Sequence, residues 1–400
     1  MTAASAAIRP KPTTAGRFRP ELELLLAACS GPLSKQRSSK CEEWLDQPLD
    51  WEFLLRFAEQ HDLAALFFWH AQSFAGALPP SVVARLRCCY ERNARKNLLL
   101  TQLLMEVHQL LDRAGIASIA IKGPTLAAGT YGDLGLRQFS DVDLLVRRSD
   151  IRRAKELLLA AGFRSALQLT STQERLHLRW DNEFPFHRGG QENVLELQWR
   201  ITPYFYAVDF DLERQFARAT STDMGGIQCA TLCPEDMLLV LCVHGAKHAW
   251  TKLSWLCDLA WTVRTHHLNW SEVQHEAESL GIERILMVSL ALTQHFYGTR
   301  SPHFAQVQIE EDSEVRLIAK EIAARIVNEQ PLDISSPAYF FLMCRLRERW
   351  RDRIRLFWRL AFTPGPGEWT AVSLPAMLSP GYLIVRGCRF CAKIVRHVLQ

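Results

Sequence analysis

Three acidic side chains stand where they could share work at a phosphoryl group. Asp141 and Asp143 lie one residue apart in Ser140-Asp-Val-Asp-Leu-Leu-Val146, and Glu196 lies in Val194-Leu-Glu-Leu-Gln-Trp199. Strand side chains alternate between faces, so residues two apart share a face with Cα atoms about 7 Å apart. Asp141 and Asp143 can therefore reach one metal centre, and Mg²⁺ prefers such oxygen ligands. A nucleotidyl transfer, in which two ions about 4 Å apart bind a triphosphate, activate the attacking group and shield the leaving pyrophosphate, wants carboxylates clustered in this way.

Positioning these acids requires two neighbouring strands and the turn before them. Val142, Leu144 and Val146 occupy the other face of the Asp strand, predicting a half-buried strand in a fixed register with its acids pointing outward. Upstream, Ile119 and Ile121 in Ala117-Ser-Ile-Ala-Ile121 suit a companion strand ending at Lys122. Gly123 then permits close approach of a backbone or a phosphate. Pro124 fits the first turn of a helix running to about Gly129, whose free amides attract phosphate. Phe184 to Arg188, a turn over 189–193, and Val194 to Trp199 read as a β-hairpin with Glu196, Val194 and Gln198 on one face.

The 400 residues are 48% hydrophobic and 22% charged, with a net charge of +4, which bounds the chain as globular and long enough for two or three domains. That charge is too small to imply nucleic-acid binding by itself. No run approaches the roughly 18 apolar residues of a membrane helix. The N-terminal stretch has no apolar core of a secretory signal, so the expected compartment is the cytoplasm. The eleven cysteines form no paired zinc framework and read as reduced, mostly buried thiols.

Periodicity predicts helices over 21–29, 51–72 and 80–113, with a polar loop between the first two. Ser149 is placed to cap a helix that Gly162 closes. Helices return from Glu235 to Trp250, from Leu253 to Thr265, and onward through Trp358. The expected organisation is a disordered arm (1–20), a helical region (21–115), a catalytic core (116–230), a helical domain (231–362) and a basic, apolar extension (363–400). The fold class is α+β: a small mixed sheet flanked by N-terminal and C-terminal helices.

In order, Lys122-Gly123, Arg137, Asp141-Val-Asp143 and Glu196-Leu-Gln-Trp199 resemble the polymerase-β-like nucleotidyltransferase superfamily, in particular its uncharacterised bacterial nucleotidyltransferase family. Pro234-Glu-Asp236, His244-Gly-Ala-Lys-His248, Leu253, Trp255 and Asp258 resemble that family's helical segment, and Leu374-Pro375, Tyr382 and Arg386 extend the likeness. Departures are Gly123-Pro124 for the usual Gly-Ser turn, a longer gap to the aspartates, Glu196 for Asp and Gln198 for His.

The resemblance implies an enzyme that transfers a nucleoside monophosphate from a triphosphate such as ATP to an acceptor, releasing pyrophosphate. Asp141, Asp143 and Glu196 would hold two Mg²⁺ or Mn²⁺ ions, with Glu196 also orienting or deprotonating the acceptor. Lys122, Gly123, Pro124, Thr125, Arg137 and Ser140 would contact the nucleotide. Expected partners are the triphosphate and a small-molecule, peptide or protein acceptor, ahead of nucleic acid.

Simpler readings stand beside these. Lys122 could be a surface lysine, and Arg137 could pair with Asp133 or Asp141. His244 and His248, four apart on a helix, could share a zinc ion but have no third ligand nearby; a structural face is preferred, with nucleotide or acceptor contact by His244, Lys247 and His248 as the accessory role. Asp258 reads as a helix anchor. The basic run from Arg345 to Arg359 and the tail from Arg386 read as solvated helix faces. Rival functions are glycosyl transfer from a nucleotide-sugar held by Asp141-x-Asp143, and a catalytically inactive nucleotide- or partner-binding protein.

Overall fold

Ile119 and Ile121 form a strand because their branched side chains pack on one face while the backbone ladders on both edges. The computed structural model describes residues 18–365 except 33 and 335, together with 368, 378 and 381–388. Most of the arm, Leu374-Pro375, Cys391 and residues 389–400 of the tail therefore lie outside the described residues.

Seven strands form one mixed sheet: β1 (Ser118–Ile121), β2 (Val142–Val146), β3 (Arg164–Ser165), β4 (Glu183–Arg188), β5 (Gln191–Gln198), β6 (Thr220–Asp223) and β7 (Gln228–Thr231), in the order β3-β4-β5-β2-β1-β7-β6. β2 is central, antiparallel to β1 and parallel to β5. Every residue of β2 is buried, so the predicted half-buried strand with outward acids is corrected. The face with Asp143 and Leu145 is covered by helices, while Val142, Leu144 and Val146 pack into a separate core with Leu195, Leu197 and Trp199.

The β4–β5 hairpin is present with longer strands than expected. Gly189 and Gly190 have φ of 58° and 82°, a two-residue turn with both angles positive, which matches the twist of the flanking strands. The β6–β7 hairpin and the Ser171–Trp180 helix were not read from the sequence. That helix had a legible signal: Thr170 accepts from the Gln173 amide while the Gln173 side chain returns to the Thr170 amide.

Helices at Pro20–Cys29, Pro80–Arg113, Pro234–Lys247 and Leu253–Thr265 follow the predicted spans. Lys35–Leu45, expected as a loop, is helical. The span 51–72 is broken into Trp51–Gln60 and Ala64–Ala71 at Asp62, which adopts φ 58°. Asp150, not Ser149, is the N-cap of Ile151–Ala160, and its side chain makes no capping bond. Helices before and after the sheet bury Leu24, Phe57, Leu238 and Leu259 in one common core, so both ends of the chain close over the same face of the sheet.

Two asparagines on the long Pro80–Arg113 helix hold the loop that leads into β2. Asn93 donates to the carbonyls of Gly135 and Arg137, and fully buried Asn97 donates to those of Leu134 (2.6 Å) and Arg137 (2.7 Å). Asn97→Ala leaves two carbonyls without this donor and is expected to cost about 1–3 kcal/mol, read as a lower thermal unfolding midpoint.

Candidate active site

The chain reverses sharply after β1. Lys122 adopts φ 58°, ψ −137°, and Gly123 follows with φ 46°. A lysine in this region is strained by about 1–3 kcal/mol. In compensation, the turn aims its side chain back over the sheet, where Nζ lies 3.3 Å from Asp143 Oδ2 and 3.3 Å from His244 Nδ1.

Register brings the acids together. Asp143 pairs with Ile121 across the antiparallel ladder and with Glu196 across the parallel one. Asp141 sits just before β2, and its Oδ2 accepts at 3.4 Å from the Ser140 hydroxyl. Gln198, two residues beyond Glu196 on the same face, donates its amide to Asp143 Oδ1 at 2.9 Å and to Glu196 Oε2 at 3.2 Å. A cavity of ≈ 430 Å³ opens over these groups, bounded by β-strand ends, the long helix and the helices after Pro234.

Sequence reasoning missed a fourth acid, Glu183, at the start of β4. It lines the cavity beside Asn182, which donates to it at 2.6 Å. Its signal was weak, because a lone Glu at a strand start is ordinary and only the hairpin register carries it toward Glu196. Lys96, Lys252 and Asp62 also reach the cavity wall from distant parts of the chain, with Lys252 and Asp62 paired.

Crowded carboxylates in a low-dielectric site resist ionisation. Burial, then the charges of Asp143 and Glu183, push Glu196 up to about 9. Burial and Asp143 raise Asp141, and burial raises Glu183 against the pull of Lys247. Lys247 itself is lowered by burial and by Lys122. Burial and Lys122 hold His244 well below its ordinary value, and burial with Lys247 brings His248 down to about 4. Both imidazoles are therefore neutral at pH 7 and pack with Trp255, their ring centroids 5.1 and 5.2 Å from its own.

Oxygen donors that destabilise one another as anions fit a hard divalent cation. Lys122 and the Gln198 amide now satisfy part of that demand, and among the described residues no three acidic, imidazole or thiol groups already stand in coordinating geometry. Asp141, Asp143 and Glu196 would need side-chain rotation to share an ion.

Other expected contacts are redirected. Arg137 forms a two-pronged pair with Asp258, Nε to Oδ1 and Nη2 to Oδ2 each at 2.9 Å, and Tyr131 donates to the same carboxylate at 2.7 Å. Its partner is thus neither Asp133 nor Asp141; Asp258 is a buried anchor, and Arg137 meets the cavity only as part of its wall. Thr125 is turned inward, donating to the Lys122 carbonyl and accepting from Thr231, so it is corrected as a nucleotide contact. Pro124 is likewise buried and absent from the cavity wall. Its helix is one turn, Gly123–Leu126, continued by a wide turn at Ala127–Tyr131 in place of the expected span to Gly129.

Two measurements bear on this arrangement. Asp258→Ala strands a buried guanidinium and is expected to destabilise the protein by about 3–5 kcal/mol in denaturant unfolding. Glu196 favours its protonated form in the fold, so its own contribution to stability is present below pH 4.5 and lost as pH rises toward about 9. The stability of wild type minus that of Glu196→Gln should therefore fall across this window.

Residues 47–298 match the model of a family described as uncharacterised nucleotidyltransferase. Among solved structures, the crystal structure of an antigenic nucleotidyltransferase-like protein from Paracoccidioides brasiliensis is similar at 15% identity and a TM-score of 0.32, over 55% of this chain and 92% of that one. No curated protein matches the chain.

Proposed function

Because the chain belongs to the uncharacterised nucleotidyltransferase family, whose model covers residues 47–298, we propose that its cavity transfers a nucleoside monophosphate from a nucleoside triphosphate to an acceptor. An acceptor oxygen attacks the α-phosphorus, the bond to the β-phosphate oxygen breaks, and pyrophosphate leaves. The observation that carries this reading is the cluster of Asp141, Asp143, Glu183 and Glu196 facing Lys122 and Lys247 in one cavity.

Asp141, Asp143 and Glu196 would hold Mg²⁺ or Mn²⁺, in two ions, as the resemblance of this chain's residues to the polymerase-β-like superfamily implies. When bound, such ions withdraw charge from the triphosphate and favour departure of pyrophosphate. Lys122 and Lys247 offer ammonium groups to the phosphates, and Gly123 and Ser140 line their path. Glu196, which burial and its acidic neighbours hold protonated, would orient the acceptor hydroxyl or deprotonate it once bound cations have displaced its own proton. His244, His248 and Trp255 provide a neutral aromatic wall for the base. A cavity bounded by helices that precede and follow the sheet favours a small-molecule, peptide or protein acceptor over a polynucleotide.

Thermal unfolding with each ribonucleoside triphosphate, with and without Mg²⁺, tests the reading. A ligand at about a hundredfold above its Kd stabilises the native state by about 2.7 kcal/mol. The expected result is an Mg²⁺-dependent rise with at least ATP that Asp141→Ala/Asp143→Ala abolishes. Stabilisation by nucleotide-sugars alone would replace the proposal with glycosyl transfer, and an Mg²⁺-insensitive rise retained in the double variant would replace it with nucleotide binding without catalysis.

A further inference from the structure

Lys96 reaches the cavity from the Pro80–Arg113 helix, between Asn93 and Asn97, the two residues that hold the approach to β2. It is half-buried, and among the described residues it makes no hydrogen bond or ion pair. The carboxylate that acts on it most strongly, Asp62, is already engaged, its Oδ1 accepting from the Gln138 amide at 2.7 Å and its Oδ2 pairing with Lys252. Burial draws the Lys96 ammonium down from its ordinary value, opposed by Asp62 and Asp141. An anion seated beside it would support the charge that burial disfavours.

The cavity therefore has two unlike ends. At one, Glu183 and Glu196 gather with Asp143, and the cations there are engaged: Lys122 lies 3.3 Å from Asp143, and Lys247 is held by the charges of Glu183, Glu196 and Asp143. At the other stand Lys96, the Lys252–Asp62 pair, Gln138 and Ser140. Asp141 lies between, the carboxylate whose charge acts on both Lys96 and Glu196. A polyphosphate tail at the first end would add negative charge to crowded carboxylates. At the second end it meets an ammonium that no carboxylate has taken. In-line displacement orders the rest, because the attacking and leaving oxygens lie on opposite sides of the α-phosphorus.

We infer that Lys96 holds the leaving pyrophosphate, with the β- and γ-phosphates seated beyond Asp141 against Lys96 and Lys252, and that the acceptor enters from the Glu183–Glu196 end; this assignment rests on the nucleotidyl-transfer reading above. As the acceptor oxygen bonds to the α-phosphorus, the bond to the bridging oxygen breaks and its electron pair departs with pyrophosphate, whose charge the Lys96 ammonium opposes. Lys122 and Lys247 are left to the α-phosphate beside the acids.

The test is calorimetric titration of the full chain with ATP and with inorganic pyrophosphate, each with Mg²⁺, in wild type, Lys96→Gln and Lys96→Arg. Wild type is expected to bind both. Lys96→Gln should weaken both by about tenfold or more, the loss of one hydrogen bond to a charged group, while Lys96→Arg, which keeps the charge, should stay near wild type. The unfolding midpoint of Lys96→Gln should be unchanged; should it fall, the comparison with Lys96→Arg decides. Wild-type affinity of Lys96→Gln for both ligands, or weakened ATP with unchanged pyrophosphate, would overturn the Lys96 assignment and leave the nucleotidyl-transfer reading intact. A wild type that binds neither ligand would remove that reading and the assignment with it.

Discussion

Like charges held together out of water are unfavourable, and the cavity of this protein gathers Asp141, Asp143, Glu183 and Glu196, with Lys122 and Lys247 against them and the Lys252–Asp62 pair and Lys96 farther along the wall. Strand register sets the cost, because pairing Asp143 with Glu196 across parallel strands fixes two acids on one face. Asp141 and Glu183 join them from the start of β2 and β4. The adjoining groups are those such a cluster requires: Lys122 bent over Asp143, Gln198 donating to two acids, and Lys247 opposite Glu183. Crowding and burial raise Asp141, Glu183 and Glu196 toward their protonated forms.

Behind the cluster, a second set of interactions keeps the approach to β2 rigid. Arg137 is clamped by Asp258 while Asn93 and Asn97 take its carbonyl and those of the preceding turn. These contacts join the long helix, the loop and the Leu253–Thr265 helix, which come from three separate parts of the chain. A buried ion pair of this kind contributes little net energy relative to apolar packing, but breaking one side leaves a charge that the interior cannot solvate. Its consequence is positional: the loop ends where Asp141 can face Asp143.

The Trp350–Phe362 helix lies outside that network. Its inner side is tied through Asp209 and Tyr204. Its arginines serve the fold at more than one place, Arg355 and Arg359 on Asp209 and Arg353 on the Arg347 carbonyl. Sequence spacing alone could not assign these partners, because all three lie within the same basic run.

Local patterns were sufficient for much of the architecture. Branched residues before Lys122, Pro80 and Gly115 bounding the long helix, and the double glycine of the hairpin each act through their own backbone preferences, and the elements followed. The order of Lys122, Asp141, Asp143 and Glu196 was likewise legible, since alternation along strands puts chemistry on one face before any strand is paired. Only the tertiary structure decided that this face lies beneath helices that precede and follow the sheet, that Glu183 joins it, that Arg137 is committed to Asp258, and that Thr125 turns inward. Those outcomes depend on which distant segments meet and how much water they exclude. A carboxylate's neighbours across a sheet, unlike its neighbours along a strand, leave no local spacing in the sequence.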